Sequence, residues 1–130
     1  MTRPECLLKG IVEWRRGERE RFVYRAGRTE PYRIEPLPAP VHYGCLPAYF
    51  NPADQAEVDA VWLGNQDRQV DEWVEAQVTG LLHLNDQDHK VVFGPLDEAG
   101  VLLSWFGPQR GARLQSAEAA LTWLSGLPRT

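Results

Sequence analysis

A chain of 130 residues is long enough to bury one hydrophobic core without disulfide or metal staples, and it reads as one domain spanning 1–130. Its 14 Lys and Arg against 18 Asp and Glu leave a net charge of −4, which excludes a surface built for nonspecific binding to nucleic acid. Cys6 and Cys45 form neither a metal-binding spacing nor a disulfide framework, the opening MTRPECLLKG has too short an apolar run for a signal peptide, and no apolar run reaches membrane-spanning length. These features predict a soluble, cytoplasmic protein.

The basic residues are uneven. Arg15, Arg16, Arg19, Arg21, Arg25, Arg28 and Arg33 crowd one early stretch, while Lys9 and Lys90 are the only lysines, so a small anionic ligand stays open. Within that stretch Ile11 to Trp14 reads as a strand, RRGERE as its connection with Gly17 at the bend, and Arg21 to Tyr24 as a second strand, together a first hairpin. A turn centred on Gly27 follows, then a short extended segment from Tyr32 to Glu35. Pro36, Pro38 and Pro40 forbid helix or central strand and predict an extended connector.

From Tyr43 to Leu63 an aromatic-Gly turn leads through a Pro-bounded loop carrying Asp54, Glu57 and Asp59 into the apolar strand Ala60 to Leu63. Carboxylates at the mouth of a strand can hold a hard cation on a rigid support, or can be solvated turn residues; the residues alone leave both open. Trp73 to Leu84 reads as a long strand bent at Gly80, since Thr79-Gly80 is poor for a helix. After the turn at 85–88, alternation along an extended segment would project Asp86, Asp88 and Lys90 from one face, either as a convergent site or as a solvated hairpin tip. Val101 to Phe106 reads as a last strand, Arg110 to Leu114 has no assignment, and Ser116 caps a helix with Ala120, Leu121, Trp123, Leu124 and Leu127 on its apolar face.

In this order the motifs resemble the soluble inorganic pyrophosphatases of the family I type. The family's loop reads Asp-Gly-Asp-Pro-x-Asp; here Asp54-Gln55-Ala56-Glu57-Val58-Asp59 keeps the outer two aspartates and places Ala56 at the middle one. Upstream, Glu13 falls on the acid that ends the family's first strand, Arg21 replaces a Lys, and Val23 replaces a second Glu. Arg33 falls near an Arg that grips phosphate, and Tyr43 on the family's Asn-Tyr-Gly with His42 for Asn. Downstream, Asp86, Asp88 and Lys90 fall on two acids and a phosphate-binding Lys, with a shorter loop between the acids.

The resemblance implies a mainly β (α+β) fold, a small closed OB-like five-stranded barrel with an added hairpin and one C-terminal helix. It implies Mg²⁺-dependent hydrolysis of pyrophosphate or a related phosphoanhydride, with Asp54, Asp59, Asp86, Asp88 and Glu13 as metal ligands. Arg21, Arg33, Lys90 and Tyr43 would bind substrate, and Asp59, Lys90 and Tyr43 would act in catalysis. Ala56, Val23 and the lack of the family's C-terminal Tyr-Lys pair, near Thr122-Trp123, point to the alternative of a catalytically silent binding or interaction module. The expected partners are pyrophosphate or phosphate, with no membrane and no nucleic acid, although Trp14, Phe22, Tyr24 and the Arg cluster keep a single-strand-binding barrel as a further alternative. Trp62, Trp73, Trp105 and Trp123 offer aromatic surface for a homo-oligomer.

Overall fold

The computed structural model describes residues 6–129; Met1 to Glu5, half of the opening stretch weighed above as a signal peptide, and Thr130 lie outside the described residues. Strands β1 (Leu7–Trp14), β4 (His42–Asn51), β5 (Ala56–Trp62), β7 (Lys90–Phe93) and β6 (Trp73–His83) are hydrogen-bonded in that spatial order, and β1 also pairs with β6. This pairing closes a five-stranded barrel. All neighbours are antiparallel except β5 and β7, so the barrel is mixed. A short strand β8 (Arg113–Ser116) extends the sheet beside β6, and α2 (Ala117–Ser125) follows directly. Ser116 starts α2 as expected, its Oγ accepting from the Ala119 N–H at 3.1 Å.

The first hairpin differs from the expected one. β1 pairs with β4 and β6, and the hairpin is formed by β2 (Glu20–Arg25) with β3 (Arg28–Ile34). Their connection is Ala26-Gly27 with φ of 52° and 85°, a two-residue loop of positive φ that matches the twist of the flanking strands. A second correction concerns 101–106. This segment is α1 (Gly100–Trp105), entered through a 3₁₀ turn at Leu96–Glu98, because Ala99 and Leu102, three apart, bury together while Val101 faces solvent. The unassigned 110–114 stretch closes a 3₁₀ turn at Pro108–Arg110 and opens β8.

Strand alternation divides the core in two. Val58, Ala60 and Trp62 of β5 pack with Val91 and Phe93 of β7 and with Ala120 and Leu124 of α2. Residues of opposite parity, Val61 and Val92, pack with Tyr43, Leu82 and the Leu102 side chain of α1. Trp62, counted above as surface, is buried and stacked on Phe93 with ring centroids 5.6 Å apart. Gly44 lets this core close: a Cβ there would overlap the Ile11 carbonyl oxygen and touch the Trp62 ring. Among the described residues no helix is long and apolar enough to cross a membrane.

Candidate active site

The site grows out of the second face of β4, β5 and β7. Counting back two residues from Val61 and Val92 reaches Asp59 and Lys90, and the register pairs Asp59 with Lys90 and with Cys45. Strand alternation thus brings polar side chains to one end of an otherwise apolar face. Asp59 lies within β5; the turn covers only 52–55, so of the three acids assigned to a loop only Asp54 is in one.

Two turns complete the acid cluster. Asn51, buried at the end of β4, accepts the Ala53 N–H at its Oδ1 (3.0 Å) and donates from Nδ2 to the Gln87 carbonyl (3.1 Å). That clamp ties the turn carrying Asp54 to the turn carrying Asp88. Carboxylate oxygens of Asp54, Asp59 and Asp88 then lie within 4.8 Å of one another. Lys90 Nζ donates to Asp59 Oδ2 at 2.7 Å and pairs with Asp88 Oδ2 at 2.9 Å.

Three carboxylates share one buried ammonium. Desolvation, then the neighbouring Asp88 and Asp59 charges, push Asp54 up to about 7; burial likewise raises Asp59 against the pull of Lys90. Burial lowers Lys90, but Tyr43, Asp59 and Asp88 outweigh it and keep the ammonium charged. Asp88 Oδ1 is buried without a hydrogen-bond partner among the described residues. Asp54, when protonated, also hydrogen-bonds to Asp88, and three acids gathered in this way form a group that could hold a divalent cation, oxygen donors of this kind suiting a hard one.

The remaining predicted residues separate into those that line the cleft and those that do not. Tyr43 is buried under the cations, its ring centroid 5.9 Å from Lys90 Nζ and 5.4 Å from the Arg21 guanidinium, and burial holds its phenol protonated. Arg21 also covers Trp14 at 4.9 Å and donates to Glu35 Oε2 at 2.8 Å. Glu13 sits at a register shift in β1, accepts the Tyr24 N–H at 2.7 Å, and is raised to about 7, chiefly by burial. Asp86 stands outside the acid group. Its carboxylate caps the Asp88 N–H (3.2 Å) and pairs with Arg110 (2.8 Å), so Asp86, Asp88 and Lys90 do not share a face; Gln87, with φ of 67°, breaks the alternation. Arg33 pairs with Glu35 at 3.1 Å and lies over the ring of Tyr32, a wall residue, without lining the cleft itself. His42 is committed to the backbone, accepting from Arg16 N–H and meeting the Gln66 carbonyl.

The cleft has a volume of about 590 Å³. Its lining includes residues that sequence reading placed in no site: Arg110, Cys45, and Trp105 with Phe106 at the end of α1. Arg110 Nη2 is 3.6 Å from Asp88 Oδ2, and its turn is tied to the acid loop where the Asn85 N–H donates to the Arg110 carbonyl at 2.7 Å. The only sequence signal for it was an arginine between two glycines in a Pro-containing stretch. Cys45 is buried beside Glu13, and that burial, with the surrounding acids, pushes its thiol up.

A closed five-stranded mixed barrel, extended by one strand and followed by a short C-terminal helix, is the fold of the family I inorganic pyrophosphatases. Among solved structures the chain is similar to an inorganic pyrophosphatase from Ehrlichia chaffeensis at TM-score 0.81 and 14% identity, covering 98% of this chain and 96% of that one. It is also similar to that from Thermus thermophilus (TM-score 0.77, 18% identity, 96% and 91% covered) and to that from Neisseria gonorrhoeae (TM-score 0.73, 19% identity, 93% and 88% covered). No family model and no curated protein matches the sequence.

Proposed function

We propose that the chain is a divalent-cation-dependent hydrolase of pyrophosphate or a related phosphoanhydride, working with a reduced site. The observation that carries this reading is the Asp54, Asp59 and Asp88 cluster beside a charged Lys90. These three aspartates would hold Mg²⁺, which keeps several waters and needs few protein ligands. When bound, the ion neutralises anhydride oxygens and lowers the pKa of its water. Lys90 and Arg21 place positive charge where negative charge develops on the leaving phosphoryl group, and the protonated Tyr43 hydroxyl donates to it. The fold shared with the pyrophosphatases supports the same reading.

The alternative, a catalytically silent module of the same fold, is favoured by two side chains. Ala56 and Val23 both line the cleft and offer no polar atom, and a methyl group cannot take the proton of an attacking water. Phosphate release from pyrophosphate with Mg²⁺ separates the two. Turnover is expected in the parent protein and its loss in Asp59→Ala; a parent no faster than that variant rules out hydrolysis of pyrophosphate.

A further inference from the structure

The cleft is larger and more aromatic than an inorganic diphosphate requires. A volume of about 590 Å³ is that of pockets holding organic ligands of drug-like size. Beyond the acids and cations of its floor, its walls carry Phe22, Tyr24 and Tyr32 from the β2–β3 hairpin and Trp105 and Phe106 from the end of α1. Tyr32 is 49% exposed, and Trp105, which rests on the core residue Trp14, keeps 36% of its surface open to the cleft side and solvent. The rim is also continuous with the floor. Trp105 meets Trp14 edge-on with ring centroids 6.2 Å apart, and Trp14 carries the Arg21 guanidinium at 4.9 Å. On the same wall Arg110 lies 5.0 Å over Phe106 while reaching Asp88 at 3.6 Å.

We propose that this site takes nucleoside 5′-diphosphates, the diphosphate lying over the acid and cation floor and the base stacking at the Trp105 rim. The inference rests on the phosphoanhydride reading of the floor and narrows its substrate. Stacking recognises any base through its π face and strengthens binding about tenfold or more. In the reaction a water oxygen bonds to the terminal phosphorus, and the bond from that phosphorus to the bridging oxygen breaks with its electron pair staying on the oxygen. The products are a nucleoside monophosphate and inorganic phosphate, with one proton released to solvent and no change of oxidation state.

The test titrates the protein, in Mg²⁺, with ADP and separately with inorganic pyrophosphate, read by calorimetry and tryptophan fluorescence. ADP is expected to bind about tenfold tighter or better, and Trp105→Ala to bring the two ligands within about threefold of each other. Pyrophosphate binding as tightly as ADP in the parent protein, a comparison that needs no variant to fold, overturns the substrate class and leaves the phosphoanhydride reading standing. Neither ligand binding in Mg²⁺ overturns both. An ADP preference that survives Trp105→Ala overturns the role of the rim.

Discussion

Lys90 faces more negative charge than one ammonium can neutralise. It lies 2.7 Å from Asp59 and 2.9 Å from Asp88, and Asp54 completes the group with a carboxyl raised to about 7. In an isolated ion pair one charge meets one charge; here three carboxyls gather at one buried ammonium, a group that could hold a divalent cation, which is why this cluster, rather than the outlying pair of Arg15 and Asp67, carries the functional argument. At the same scale, Ala56 is the residue that would limit the proposed hydrolysis. It lies in the cleft at the position where the resembling loop has its middle acid, and general-base assistance is worth about 10²–10⁴-fold in rate. Ala56→Asp is therefore expected to raise Mg²⁺-dependent phosphate release from pyrophosphate by roughly that range. A variant no faster than its parent would count against a water-attack site in this cleft.

Among the elements, α1 sets the outer wall of the cleft by presenting Trp105 and Phe106, and its identity can be tested by packing alone. As a strand, Val101, Leu103 and Trp105 would share a face; as a helix, Leu102 buries with Ala99. Leu102 is fully buried and Val101 is 50% exposed. Urea denaturation is expected to show a loss of about 2–5 kcal/mol for Leu102→Ala and about 0.5 kcal/mol or less for Val101→Ala. Comparable losses for both would restore the strand. The run VLLSWF was not legible as a helix because six residues with apolar positions at every spacing fit either period. Likewise, Gly27 marked a turn, but Ala26 in a positive-φ position gave no sign that the loop was a two-residue hairpin joining β2 to β3.

For the molecule as a whole, crowded acids make stability depend on pH and on divalent ions. Asp54 and Glu13 are each raised to about 7 and Asp59 is raised as well. A carboxyl whose folded pKa exceeds its unfolded value contributes stability in acid, and that contribution is lost as pH rises through the folded value. Lys90, also raised, stays charged throughout this window and adds no slope. The acids' contribution is lost between about pH 4 and about pH 7, while His89, lowered by burial to about 4, and His42 and His83, also lowered, act in the opposite sense below about pH 6.5. The gain in thermal midpoint from Mn²⁺ over chelator, in which the histidine contributions cancel, should therefore grow between about pH 4 and about pH 7. A gain that does not change with pH would mean that the acids are not desolvated together. The closed barrel is what makes such crowding possible, because β5 and β7 fix Asp59 against Lys90 in register.

The sequence by itself determined the strand-rich class, the helix capped by Ser116, the long strand running through Gly80 and the residue types of the acid and cation cluster, because alternation, capping and turn chemistry act over a few neighbouring residues. Only the tertiary structure decided which of those residues meet. Asp86 and Asp88 are two apart in the chain and both reach Arg110, yet across the positive-φ turn at Gln87 only Asp88 pairs with Lys90 and joins the acid cluster. Asp54 joins Asp88 through Asn51, and Arg110 reaches the same cleft from a segment with no periodic pattern. Such meetings depend on register and barrel closure, which are summed over the whole chain and leave no mark at any one position.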